Sequence, residues 1–236
     1  MKSMKQMLAP HKTPYKKIRL GRQCDGGYIL LEELLGDVVF SYGIGDDDSF
    51  ERVCEAKGML VLMHDPTITY GDCKLRPFVA AHDPAIVYHS NKLRHFAAIP
   101  FDAQFSKHLA GSDNITLKID VEGHEWFGLR DCDASVFSHI NQMVVEFHNM
   151  HDNDPMKIPI IGRLLEYFTI FHMHGNDFGG VTEDGLPHAL EISFINNKFG
   201  PFNLETEAYP IAGLDFSNSN QGDYKMDWWL QTNYLS

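Results

Sequence analysis

The strongest constraint on this chain is a succession of short, continuous apolar runs separated by segments of helical period. Val38-Val39-Phe40-Ser41-Tyr42, Met59 to Met63, Ile115 to Asp120 and Met143 to Phe147 are each long enough for one buried strand. Ile86-Val87-Tyr88 is a weaker candidate. Ile158 to Tyr167 carries helical spacing, and Phe168 to Phe171 and Ala189 to Ile195 follow as strands. Apolar runs punctuated by helices predict an α/β fold, a mostly parallel sheet with helices on both faces. The last two strands are separated only by Gly175 to Pro187, without room for a helical crossover, so an antiparallel last strand is expected.

At 236 residues, one domain accommodates all of this. It divides into a basic N-terminal arm over 1–22, a core over 23–200 and a C-terminal extension over 201–236. The arm holds Lys2, Lys5, Lys12, Lys16, Lys17, Arg19 and Arg22 and no acid, although the whole chain carries a net charge of -12. All 32 acids therefore lie beyond the arm. Such an acidic body repels a nucleic-acid backbone, so nucleic acid is not expected as a partner. The arm itself reads as a solvated terminus. No apolar run is long enough for a membrane span, and Met1 to Pro10 lack the apolar stretch of a secretory signal. A cytoplasmic protein is expected. Cys24, Cys54, Cys73 and Cys132 form no C-x-x-C pair, which points to buried thiols in a reducing compartment.

The first chemical signal is Ser41-Tyr42-Gly43-Ile44-Gly45-Asp46-Asp47-Asp48-Ser49-Phe50-Glu51. A strand that runs into Gly-x-Gly and then a helix lets backbone approach a ligand at the helix start. The third glycine of a dinucleotide turn is missing, and three aspartates crowd the position instead. Carboxylates there repel a pyrophosphate by about 4 kcal/mol per charge pair at 4 Å and intermediate dielectric. They tolerate a ligand with an amine and a sulfonium, such as S-adenosylmethionine. Asp65, which ends the following strand, stands where an acid accepts hydrogen bonds from ribose hydroxyls. Asp48 and Glu51 also have the spacing of a helix capping box.

Several segments together resemble the FkbM-type and related methyltransferase-like families of Rossmann methyltransferases. They are Leu20-Gly21-Arg22 with Asp25-Gly26-Gly27-Tyr28, Tyr42 to Asp46 with Ser49-Phe50-Glu51, and Asp65-Pro66-Thr67. Leu117 to Gly123 with Glu125-Trp126, Val145 to His148, Phe171 to Asn176 and Glu191 to Asn196 complete the series. One departure is His64, where an aromatic or small apolar residue is expected. The resemblance implies a class I methyltransferase sheet of seven strands, with S-adenosylmethionine as methyl donor. It also implies a hydroxyl of a sugar or glycan-like small molecule as acceptor. The candidate cofactor-binding residues are Tyr42, Gly43, Gly45, Asp46, Ser49, Asp65 and Asp120.

Three predicted strand ends carry unusual groups: Asp120 with Glu122 and His124, Glu146 with His148, and His172 with His174. Residues two apart on a strand share a face, so these groups converge if the strands are neighbours. Asp120, Glu122 and His148 are candidate catalytic residues, a neutral histidine being a natural acceptor for a hydroxyl proton. Asp120, Glu146, His148 and His174 are candidate ligands for a divalent metal, Mn, Mg, Fe or Zn. Asp25, Tyr28, His124 and His172 are candidates for the acceptor side. His148 to Asp154 reads as a polar loop facing substrate, and Trp228-Trp229 as tail packing. The alternatives are a non-catalytic methyltransferase-like binding module, or a metal-dependent hydrolase built on the same cluster.

Overall fold

The computed structural model describes residues 2–65, 113–219 and 222–231. The weak strand expected at Ile86 to Tyr88, the thiol of Cys73 and the Pro66-Thr67 pair lie outside these residues. Helix α1 (Met4–Met7) and strands β1 (His11–Lys12), β2 (Lys17–Leu20) and β3 (Tyr28–Leu31) come first. They are followed by β4 (Val38–Tyr42), α2 (Ser49–Ala56), β5 (Leu60–His64), β6 (Ile115–Ile119) and α3 (Glu125–Asp131). The remainder is β7 (Ile140–Phe147), α4 (Ile158–Tyr167), β8 (Phe168–Val181), β9 (Pro187–Asn196) and β10 (Asn203–Leu204).

Six of these strands form one sheet in the order β5-β4-β6-β7-β9-β8. β5, β4, β6 and β7 are parallel, whereas β9 runs antiparallel to both of its neighbours. The result is a Rossmann-like, mostly parallel α/β sheet whose reversed last strand is inserted between β7 and β8. Among the described residues, no helix is long and apolar enough to cross a membrane.

The two faces of the sheet differ in kind. Phe40, Tyr42, Leu117, Ile119, Met143, Val145, Phe147, Ile192 and Phe194 point to one face and pack with Trp126 and Leu129 of α3 and Ile161 and Leu164 of α4. That face holds the main hydrophobic core. The alternate residues carry polar groups: Thr116, Lys118, Gln142, Glu146, Glu191 and Ser193, each at most 4% exposed. Burial on this scale requires partners, since an unbonded polar group in the interior costs about 1–3 kcal/mol. The β2–β3 hairpin, which is antiparallel, supplies them for Gln142 and Ser193. Gln142 exchanges bonds of 2.8 and 2.9 Å with the backbone of Leu31, and Ser193 donates to the Ile29 carbonyl at 2.7 Å. Helix α2 covers the rest of that face through Phe50 and Cys54 against Val39 and Val61.

The basic arm is folded, contrary to the expectation of a solvated terminus. Met4 and Leu8 are fully buried. The amides of Met4 and Lys5 donate to Asp152, which ties the loop after His148 to the arm. The arm's cations meet the acidic body: Lys12 and Lys17 with Glu205, Lys16 with Glu32, and Arg22 with Asp47. β1 pairs with β10, and the Trp228 indole donates to the Leu8 carbonyl. Charge complementarity and two buried apolar residues turn a sequence-level charge anomaly into a tie between the two ends.

Candidate active site

The parallel strands end together, and their carboxyl ends shape a cavity of about 270 Å³. One wall is the glycine turn. Gly43 has φ +77°, and a Cβ on it would overlap the Asp120 carbonyl oxygen, so the turn can approach the end of β6 only with glycine here. Backbone bonds from the Gly43 amide to His64 and from the Asp120 amide to Tyr42, each 2.9 Å, lock the three strand ends together. The Lys118 ammonium donates to the Gly43 carbonyl.

Asp65 reaches back over this turn. Its Oδ2 accepts from the amides of Ile44 at 2.7 Å and Gly45 at 2.9 Å. In a phosphate-binding turn such amides point at the ligand; here a carboxylate already holds two of them. The His64 ring stacks on Tyr42 with 4.6 Å between centroids and 16° between planes. The capping box is not formed: Asp48 makes no cap hydrogen bond and instead pairs with Arg52 at 2.6 Å. Asp47 accepts from the Ser49 amide and hydroxyl, and Glu51 turns inward to accept from the Ser41 hydroxyl.

Beyond the turn, a row of polar groups crosses the sheet. The registers of β6, β7, β9 and β8 bring Glu146 opposite Glu191 and Glu191 opposite His174, with Asp120 one residue beyond the end of β6. Ligand atoms of Asp120, Glu146 and His148 lie within 4.8 Å of one another. His148 Nε2 is 3.5 Å from Glu122, 3.7 Å from Glu146 and 3.9 Å from Asp120. Asp120, Glu146 and His148 are near enough to one another to hold a cation between them. The site is anchored from outside. Tyr28 donates to Asp120 Oδ2 at 2.7 Å, and Asn176 donates to Glu146 Oε1 at 2.8 Å. Fully buried Glu125 accepts from the amides of His148 at 2.8 Å and Gly123 at 2.9 Å.

The electrostatics follow from this crowding. Burial, reinforced by Asp120 and Glu191, pushes the Glu146 carboxyl well above its usual range. Burial opposes charge on His148, but Glu125, Asp120 and Glu122 outweigh it and raise its pKa. Asp25 is raised chiefly by burial, against the opposing hydrogen bond from Asn218. Without a cation, protons neutralise part of the excess charge; a divalent ion would take their place.

The placement of the expected residues is uneven. Gly43, Gly45, Asp46, Asp65, Asp120, Glu122, His124, Asp25 and Tyr28 all line the cavity. Tyr42 lies with its ring in the core, and Ser49 is taken up by Asp47. Glu122 sits at the rim with an 83% exposed side chain and φ +54°. His172 and His174 do not join Asp120, Glu146 and His148. The expectation that their strand neighbours β7 fails because β9 lies between, so His174 is two strand spacings from Glu146, roughly 10 Å. His174 bonds instead to Glu191 at 3.2 Å and Asp223 at 2.9 Å, and His172 to Asp215 at 2.8 Å.

No family model, curated protein or solved structure matches this chain. The site is therefore read from its own groups. Sequence reasoning gave no site role to Lys118, Glu51 or Glu125; of these only Lys118, between Leu117 and Ile119 in a strand, stands as a charge between apolar neighbours. For Lys118 that isolation was the available signal, because a charge at a buried position needs a partner or a ligand.

Proposed function

We propose that the protein is an S-adenosylmethionine-dependent O-methyltransferase acting on a hydroxyl of a sugar or similar polyhydroxylated acceptor, with a divalent metal at Asp120, Glu146 and His148. One observation carries the reading: Asp120 belongs both to the wall of the glycine-turn cavity and to the Asp120/Glu146/His148 cluster. Donor and acceptor sites thus adjoin at one carboxylate, and direct transfer requires that they adjoin. The insertion of a reversed last strand supports the class I methyltransferase arrangement that the sequence resemblance implies. The cavity fits a donor without phosphates, since Asp65 occupies the turn amides and Asp46 and Asp47 flank them.

When bound, the sulfonium donor supplies the methyl group, and a divalent ion lowers the pKa of an acceptor hydroxyl. The chain's own residues do the rest. Gly43 and Asp65 set the turn against the end of β6. Tyr28, fixed to Asp120, closes the hairpin over the site and excludes water. The hydroxyl proton would pass to Glu122, the rim carboxylate that does not hold the ion, as the methyl group leaves the donor sulfur for the acceptor oxygen. Glu122 lies 3.5 Å from His148 Nε2, beside the groups that would hold the ion. Glu125 keeps the His148 backbone in place throughout.

The test is incubation with methyl-labelled S-adenosylmethionine and a panel of glycans and nucleotide sugars, with and without chelator. Label transferred to an acceptor, and lost on chelation, is the expected result. Turnover that needs metal but no donor would assign a hydrolase instead. Donor binding without transfer to any acceptor would assign a binding module.

A further inference from the structure

We propose that Glu51 and Lys118 recognise the amino-acid end of the ligand in the glycine-turn cavity, Glu51 taking its ammonium group and Lys118 its carboxylate. The proposal deepens the donor reading above and rests on it.

Glu51 is only 1% exposed, yet it lines the cavity. Its Oε1 accepts from the Ser41 hydroxyl, while its Oε2 is buried with no hydrogen-bond partner. Buried carboxylate oxygens are normally satisfied, and an orphan on a cavity wall marks the place where a ligand donor belongs. The other buried or half-buried acids of the wall are committed, Asp25 to Asn176 and Asn218. Asp47 holds Ser49 and Arg22, Asp65 holds two turn amides, and Asp120 holds Tyr28. Asp46 lies exposed at the rim.

Lys118 is the complementary group. It is 4% exposed, lines the same cavity and lies 5.2 Å over the Tyr28 ring. One of its three donors goes to the Gly43 carbonyl. Lys118 and Glu51 form no ion pair with each other, so opposite charges are held apart in one enclosure. A zwitterionic α-amino acid fills that gap with both signs matched; an uncharged or singly charged group leaves one of them uncompensated. Burial raises the Glu51 pKa, with Lys118 and the Ser41 hydrogen bond opposing it, as expected of a carboxyl waiting for a counter-ion.

Calorimetry on the full chain tests this with three probes: S-adenosylhomocysteine, 5′-methylthioadenosine, which lacks the amino-acid end, and decarboxylated S-adenosylmethionine. Wild-type protein is expected to bind S-adenosylhomocysteine about 10- to 100-fold more tightly than the other two, the range of one charge-assisted hydrogen bond. Glu51→Gln, which keeps the acceptor for Ser41, is expected to lose that factor for S-adenosylhomocysteine and to bind methylthioadenosine unchanged. Equal affinity of Glu51→Gln and wild type for S-adenosylhomocysteine overturns the role of Glu51 and leaves the donor reading standing. Should the variant not fold, equal wild-type affinity for all three probes overturns the proposal by itself. Absence of binding of any probe to wild type overturns the donor reading and this inference with it.

Discussion

Replacing Glu146 by glutamine should make the metal-free protein more stable and the metal-loaded protein less so. Glu146 is 3% exposed, and its ligand oxygen lies within 4.8 Å of that of Asp120. Two unit charges at that distance repel by about 3.5 kcal/mol at an effective dielectric of about 20. Protonation of Glu146 and the neighbouring His148 relieve part of this, so the expected gain on neutralisation is about 1–2 kcal/mol. Glutamine keeps the oxygen that accepts from Asn176, which limits any packing loss. In a chain of this size the gain corresponds to a rise in Tm of about 2–8 °C in chelator. Manganese at about 100 times its Kd should stabilise wild-type protein by about 2.7 kcal/mol, and the variant not at all. The assay is thermal unfolding of both proteins with chelator and with manganese. A variant less stable than wild type in chelator, or one that keeps the manganese shift, would refute the view that repelling carboxylates await a cation.

Three further outcomes are expected. Gly43→Ala should cost more than about 3 kcal/mol in urea unfolding or prevent folding, because its Cβ meets the Asp120 carbonyl at φ +77°. Gly45→Ala, at φ +60° with open space around the Cβ, should cost only about 1–2 kcal/mol; equal losses would contradict the close approach at Gly43. The pKa of His174 is raised to about 9, burial opposing and Glu191, Asp215 and Asp223 prevailing. Its contribution, at most about 3 kcal/mol, is therefore complete below about pH 6.5 and lost as pH rises through about 9. Urea titrations between pH 6 and 10 should show that loss in wild type and a flatter profile in His174→Gln. Asp65→Ala should weaken donor binding by about 1–3 kcal/mol in calorimetry; unchanged affinity would remove Asp65 from the site.

The apolar face of the sheet was plain in the sequence. Val38–Tyr42, Ile115–Ile119 and the helix Ile158–Tyr167 are found where the runs placed them, because one face of each strand packs against apolar partners. The polar face was not. β8 extends to Val181, ten residues past Phe171, since His172, His174 and Asn176 are buried against acids that no local pattern announces. Strand order is a property of the sheet, so sequence spacing grouped His174 with Glu146 although β9 lies between. Glu51 read as a capping residue because the spacing from Asp48 was right, yet its side chain turns toward Ser41. The arm reads as solvated because the acid that Lys12 and Lys17 share, Glu205, lies far along the chain.

The central claim is that the glycine turn receives a sulfonium donor and not a phosphate-bearing dinucleotide. Isothermal titration of the purified protein with S-adenosylmethionine and with NAD, side by side, tests it most directly. Saturable binding of S-adenosylmethionine and none of NAD is expected. Tight NAD binding with no S-adenosylmethionine binding would contradict it.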